Sequence, residues 1–519
     1  MIRRPSGAAL LALAFVTSAT SLRRRPPTPP PDVPREFRAA WATPVYDRGL
    51  RDWPSAPGLT PDSQRAELRT LLDHAAAVGL NAVILHVRLA GDALYPTRYA
   101  PWSAFLTGTS GQAPSPPYDP LAYAVQQAHA RGLQLHAWFN PFRAMLPNFQ
   151  GKAARSHVTR AHPAWVRKYG TQTWIDPGDP AARRYVLETI FDVVKRYDVD
   201  GVHIDDYFYP YRQSRTVVRR VRKRRVRHTV EIPFPDDRTW KKYGRGKGFA
   251  SRDAWRRANI DDFVRSLYRG VKAIKPSVLV GVSPFGIWRS GTPDGVHGLD
   301  AYNEIYADSR RWLAEGWLDY IAPQLYWPIG GTQDRFRALD AWWRQENPLD
   351  RYVWPALYTS HVYGGNDAWP LNEIGDQIAE VRESSAATSE PPGHVHFRLS
   401  ALFADSDRLA QTLAPEYRDR AIVPAFPWLG ARAPAAPVVV VDSGTSGPER
   451  YRIATGDSVA VRWWLIQARG RDGAWTTTLR PAGDGRLTPG AFGTDDPDEV
   501  AVTAIGVTGV ASPPSITLP

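Results

Sequence analysis

Cysteine is absent from all 519 residues, and methionine occurs only twice. The first absence removes disulfides, thiolate metal sites, thiol nucleophiles and lipidation of an N-terminal cysteine. The 12 histidines are scattered without HExxH-like spacing, so neither a metal site nor a cofactor is expected. Acidic residues are missing from two segments: residues 1–31 hold five arginines and no acid, and residues 212–228 hold eight arginines, one lysine and no acid. Together they exceed the net charge of +13 and leave the remainder at −1. Most of the chain is therefore nearly neutral, and no basic face or aromatic platform of the kind that binds nucleic acid is evident outside residues 212–228.

Long apolar runs are also lacking. The longest near the N-terminus, residues 8–16, follows Arg3 and Arg4 and precedes Thr17, Ser18 and Ala19. It is too short to span a bilayer and has the layout of a secretory signal, expected to occupy residues 1–25. Export to the periplasm, cell envelope or medium follows, with retention at the wall or membrane surface through the N-terminus as the variant. Six prolines within residues 26–34 predict an extended spacer.

From residue 35 to 430, short apolar runs alternate with amphipathic stretches. The runs are 37–43, 82–88, 134–140, 201–206, 278–285, 320–327, 352–360 and 394–403. Helix-like stretches at 60–78, 119–131, 180–197, 253–275, 301–316, 332–346, 371–388 and 406–414 lie between or after them. Strands alternating with helices pair in parallel, and eight repeats predict a (β/α)8 barrel, an α/β fold. Thr60-Pro61, Asp119-Pro120 and Asp179-Pro180 place a capping residue before a proline at three helix starts. Beyond an Ala/Pro-rich stretch at 430–437, runs at 438–441, 459–468, 475–479 and 500–507 show no helical period. Residues 438–519 are therefore expected to form a small β-sandwich, immunoglobulin- or fibronectin-like, with an accessory role.

The active site of a parallel barrel gathers at the carboxyl ends of its strands. There the second run brings His86 and Arg88, with Asp92 beyond; the third brings Trp138 and Asn140, followed by Arg143; the sixth brings Gln324, Tyr326 and Trp327; the seventh brings Tyr358, Ser360 and His361. The fourth run, with His203, Asp205, Asp206 and Tyr207, is the most informative. Adjacent carboxylates are costly unless their charge is used, and glycoside cleavage uses both a carboxylate and a carboxylic acid. Aromatic rings stack on the C–H faces of sugars; Trp138, Trp288 and Trp327 are the strongest of the 20 tryptophans for that task. Asp205 and Asp206 are thus the catalytic candidates, and His86, Arg88, Asp92, Trp138, Asn140, Arg143, His203, Tyr207, Trp288, Gln324, Tyr326 and Trp327 the substrate-binding ones. The bland alternatives are helix caps and arginine partners for the acids, and a packed barrel histidine for His203. Strand alternation sends neighbouring side chains to opposite faces, so a second carboxylate is also sought among Asp92, Glu231, Asp236, Asp237, Asp300, Glu304 and Asp308.

Six blocks then suggest a family: Arg38-Ala39-Ala40-Trp41, Val87 to Pro96, Trp138-Phe139-Asn140-Pro141, Asp200 to Pro210, Ser283 to Trp288 and Ile321 to Trp327. Together they resemble the bacterial glycosyl-hydrolase-like family 10, over residues 35–430 and in the same order. The family includes a divisome-localised glycosidic hydrolase type that acts on peptidoglycan strands stripped of stem peptides. The resemblance implies a barrel glycosidase of the cell envelope with the fourth-run aspartates as catalytic carboxylates and a polysaccharide substrate. Two departures are the missing lipobox cysteine and Leu89, where proline is expected.

The basic insert 212–228 directly follows the fourth run and should rise at the barrel mouth. Its Val/Arg alternation suits a β-hairpin, and a cationic rim would retain anionic cell-wall glycan; a solvated loop is the alternative. Rival functions are a non-catalytic wall-glycan-binding protein, a glycosidase of another polysaccharide and a lytic transglycosylase. Retained binding with lost turnover on Asp205→Asn separates the first from an enzyme, and product masses separate the last.

Overall fold

The computed structural model describes residues 27–517 apart from positions 150, 222–223, 431, 442–450, 457, 484, 488–491 and 494–496. The expected signal segment, residues 1–25, lies outside the described residues.

Eight buried strand positions make the barrel: β1 (Phe37–Ala42), β2 (Ala82–Arg88), β3 (Gln134–Phe139), β4 (Gly201–Ile204), β5 (Leu279–Val282), β6 (Tyr320–Ile321), β7 (Tyr352–Val353 and Ala356–Leu357) and β8 (Gly393–His396). Every pairing is parallel, from β1 through β2, β3, β4, β5 and β6 to β7. Pro355 interrupts β7 because it has no N–H to give the ladder. The residues before it pair with β6 and those after it with β8, which itself pairs with β1, so the sheet closes on itself as an α/β barrel.

The helices begin where the sequence places caps. Thr60 accepts from Ser63 N at 3.2 Å, Asp119 from Leu121 N at 3.1 Å and Asp179 from Ala181 N at 2.9 Å. One stretch departs from expectation: 301–316 is two short helices, Ala301–Glu304 and Ser309–Ala314. Tyr306 breaks it, taking φ 58° so that its ring meets Tyr209 and its hydroxyl accepts from Arg256 at 2.6 Å.

The barrel interior is aromatic. Phe37 stacks on Trp354 at 4.1 Å, and the Tyr320 hydroxyl lies 2.8 Å from His136 Nδ1 and 3.0 Å from His203 Nδ1. Such large rings fit because neighbouring strands carry glycine: a Cβ at Gly281 would stand 2.0 Å from Tyr320, and one at Gly393 would stand 2.5 Å from Trp354.

Two excursions leave the mouth. After β3 comes a three-stranded sheet of Arg143–Met145, Gln172–Ile175 and Val166–Tyr169, which the apolar pattern does not announce. After β4 comes an antiparallel hairpin, Gln213–Val221 paired with Arg224–Ile232, where the Val/Arg alternation places it.

Beyond residue 430 two antiparallel sheets follow, one of Val438–Val441, Tyr451–Ala454 and Arg486–Leu487, the other of Trp475–Pro481, Val461–Arg469, Glu499–Gly506 and Ser515–Thr517. Ile453 and Val439 of the first pack with Trp464, Ile466 and Val502 of the second. This unit docks at the amino-terminal end of the barrel. Ile422 clusters with Trp463, Leu465, Leu479 and Ile505, and Arg462 pairs with Asp200, just before β4, at 3.2 Å. The proline segment is extended but fastened rather than free, with Thr28 N donating to Glu499 at 3.2 Å and Gln467 to Pro31 O at 2.7 Å.

Candidate active site

At the opposite, carboxyl-terminal end a cavity of about 200 Å³ opens, lined by aromatic rings and three carboxylates, Asp47, Asp205 and Asp206. β4 ends at Ile204. Strand alternation has therefore stopped before the aspartates, and both carboxylates reach the same cavity.

Asp205 is held by the end of β3: its Oδ2 accepts from Trp138 Nε1 at 3.0 Å and from Asn140 Nδ2 at 3.3 Å. Burial and the neighbouring Asp206 push its pKa up to about 7, against the lowering effects of Arg143 and Trp138. Asp206 is also raised by burial, but Tyr211 and Gln324 hydrogen-bond to its charged form and oppose the shift. Two coupled carboxyls with unequal support share protons unequally, which is the arrangement acid and base chemistry needs.

The rest of the wall follows from these anchors. His86 stacks on Trp138 at 3.7 Å, and its Nδ1 lies 3.0 Å from Thr43 Oγ1. Burial and the Arg143 charge hold its pKa well below the usual value, so it is neutral at pH 7. The Arg143 guanidinium lies 3.8 Å from the centre of the Tyr207 ring, beside both carboxylates. Tyr326 stacks on Tyr358 at 4.7 Å, and Gln324 donates to Ser283 O at 3.2 Å.

Of the expected residues, Asp205, Asp206, His86, Trp138, Arg143, Tyr207, Gln324 and Tyr326 line the cavity. Others stand elsewhere. Arg88 is fully buried and ties β2 to β3 through Asn140 O at 2.7 Å. Asn140 is equally buried and acts on Asp205 rather than on the cavity. Asp92 closes a turn by accepting from Leu89 N and Ala90 N. His203 lies in the barrel interior, edge-on to Trp41 at 5.6 Å and bonded to Tyr320, with burial keeping it neutral. Trp288 donates to Asp308 at 3.0 Å beside a different surface groove, and Trp327 packs edge-on to Phe285 under Arg335.

The other acids considered as a second carboxylate are likewise engaged away from the cavity. Glu231 pairs with Arg212, Asp236 with Arg256, Asp237 with Arg252, and Asp300 caps a helix whose Glu304 reaches back to its N–H. Asp47 is the acid that the sequence reading missed. It begins a tight turn in which Arg48 and Gly49 take positive φ, and its Oδ2 accepts from Ser360 at 3.2 Å. Trp41, Thr43, Val45, Tyr211, Ser283, Phe397 and Arg398 were missed as well. Strand-end inspection of the first and last runs points to Trp41, Thr43, Phe397 and Arg398; Tyr211 and Asp47 lie in loops with no periodic signal.

A parallel α/β barrel with clustered acids and aromatic rings at its carboxyl-terminal mouth is the layout of a glycoside hydrolase. The chain belongs to the glycosyl hydrolase-like 10 family, whose model matches residues 36–353. Glycosyl hydrolase YngK of Bacillus subtilis (strain 168) is 37% identical over 413 residues, 78% of this chain and 76% of that protein. Glycosyl hydrolase DigH of Escherichia coli (strain K12) is 33% identical over 433 residues, 76% of this chain and 92% of that protein. This chain is accordingly a glycoside hydrolase. Among solved structures, α-L-fucosidase isoenzyme 2 from Paenibacillus thiaminolyticus aligns with TM-score 0.44 and 13% identity over 74% of this chain and 49% of that one. The PgaB (BpsB) glycoside hydrolase domain from Bordetella bronchiseptica aligns with TM-score 0.44 and 14% identity over 73% of this chain and 98% of that one.

The pKa pattern sets a pH profile. If protonated Asp205 and ionised Asp206 form the working pair, kcat/KM falls as pH rises through about 7. Tyr211→Phe removes a bond that favours charged Asp206, so the acidic limb should move to higher pH while the alkaline limb stays. An unmoved acidic limb in the variant would separate that limb from Asp206.

Proposed function

We propose that this enzyme cleaves glycan strands of the cell envelope, most specifically peptidoglycan stripped of its stem peptides, with Asp205 as proton donor. The observation that carries the chemistry is the pair Asp205 and Asp206 in one aromatic-lined cavity, with Asp205 raised to about 7. Protonated Asp205 gives its proton to the leaving glycosidic oxygen. Ionised Asp206, held by Tyr211 and Gln324, supports the oxocarbenium-like charge that develops at the sugar carbon, to which a water then adds while its proton returns to Asp205. Trp138, Trp41 and Tyr326 offer ring faces to the sugar, and Arg143 offers a cation to a substrate carboxylate.

The substrate assignment is supported by the signature blocks and by the N-terminal pattern around Arg3, Arg4 and residues 8–16, which suits an exported protein. The common core of the two C-terminal sheets favours a β-sandwich of the immunoglobulin or fibronectin type. Docked away from the cavity, that unit suits an accessory role.

The deciding experiment incubates purified protein with intact and with peptide-stripped peptidoglycan and identifies the soluble products by mass spectrometry. Release of reducing-end saccharides from the stripped polymer is expected. Anhydro ends would assign a lytic transglycosylase instead, and cleavage of neither polymer would sink the envelope assignment.

A further inference from the structure

We infer that the hairpin Gln213–Val221/Arg224–Ile232 is a binding track for the carboxylates of an anionic glycan, carrying the substrate strand onward from the cavity. This inference rests on the glycosidase reading above and adds a second region of contact to it.

Three observations converge. The first is continuity. The Tyr211 side chain lines the cavity and donates to Asp206, and the hairpin's first strand starts two residues later. Its base is fastened to the mouth: Gln213 N donates to Tyr169 Oη at 3.0 Å, and Arg212 reaches Glu231 at 3.1 Å and Asn303 O at 3.3 Å. Each strand has nine residues, which at ~3.3 Å per residue carries the ribbon about 30 Å from its base.

The second is an excess of one sign of charge. Residues 212–228 hold nine basic residues and no acid in a chain otherwise close to neutral. Among the described side chains, Arg215, Arg225, Arg227 and His228 are exposed. A two-stranded ribbon is by itself marginal in water. A polyanion lying along the ribbon balances this excess.

The third is the kind of anion. Guanidinium forks match carboxylates bidentately, and stripped peptidoglycan strands carry a lactyl carboxylate on each muramic unit. The segment 212–232 contains no Phe, Tyr or Trp on which nucleobases would stack. Arg143 continues the same sign of charge inside the cavity.

The test uses the full chain with Arg215, Arg225 and Arg227 all changed to Gln, which removes the charge and keeps a polar, hydrogen-bonding side chain. Two substrates are compared: peptide-stripped strands, and the same strands with their carboxyls reduced to alcohols. At low salt the variant should show KM raised tenfold or more on the anionic strands, with kcat within twofold and a flatter salt dependence. On the reduced strands it should match the parent protein. Equal losses on both substrates, or no loss on either, would overturn the track. Co-sedimentation with uncleaved strands gives the same comparison even if neither substrate is cut, so failure of the proposed activity is read separately. Binding to phosphatidylglycerol vesicles that the three substitutions abolish, with strand binding unchanged, would replace the glycan with a membrane surface.

Discussion

Asp205→Asn is expected to lower kcat by roughly 10²–10⁴-fold, the usual contribution of a positioned proton donor, while leaving glycan binding within a few-fold. The same substitution should make the protein more stable at high pH. In the unfolded chain the carboxyl titrates near 3.8; in the folded chain, where burial and Asp206 disfavour its charge, it titrates at about 7. A raised carboxyl contributes its full stability below pH 3.8 and loses it as pH rises through 7. Asparagine carries no such charge and its amide oxygen can still accept from Trp138 and Asn140. The gain over the parent should therefore approach ~4 kcal/mol above pH 8 and vanish near pH 4. Denaturant melts at the two pH values check this. Identical differences at both would show that Asp205 is not held in its neutral form by the fold.

Arg398→Met should be the most destabilising single change near the site. Arg398 and Asp52 are both fully buried at the side chain and meet at 2.6 Å. Arg398 also donates to Val45 O at 2.7 Å and Leu50 O at 3.2 Å, and Asp52 accepts from Thr43 N at 2.9 Å and Ser400 N at 2.7 Å. The pair ties the loop after β1, which carries Thr43, Val45 and Asp47, to the segment after β8. Removing one partner of a buried pair leaves the other charge without compensation and costs about 3–5 kcal/mol. Asp52→Asn should cost a similar amount, and the double variant should cost less than the sum. Strict additivity in denaturant melts would mean that the two side chains act independently.

How much of this was legible in the sequence depended on whether a local pattern carried it. The eight strand positions were visible because parallel barrel strands are apolar on both faces and read as short runs. Three helix starts were visible because a cap before proline is a local signal. The sheet bearing Arg143 was not, because its strands have three or four residues and mixed burial. The adjacent aspartates stood out as a pair, but alternation misled about their geometry because the strand ends at Ile204, two residues before the run does. Asp47 was hidden for another reason. What places it at the cavity is the Arg398–Asp52 pair, whose members lie 346 residues apart. Arg88 and His203 were misplaced because strand-end position alone does not say whether a polar side chain faces the mouth or fastens the wall.

Asp200 gives the chain an architectural dependence. Its carboxylate accepts from Leu135 N at 2.8 Å, meets His129 Nε2 at 2.8 Å and pairs with Arg462 from the C-terminal unit. His129 in turn meets Trp463 edge-on, and Ile422 is covered by the same unit. The last ninety residues are therefore no detachable appendage: severing them near Gly430 would strip a cation from a buried acid one residue ahead of β4 and bare an apolar patch.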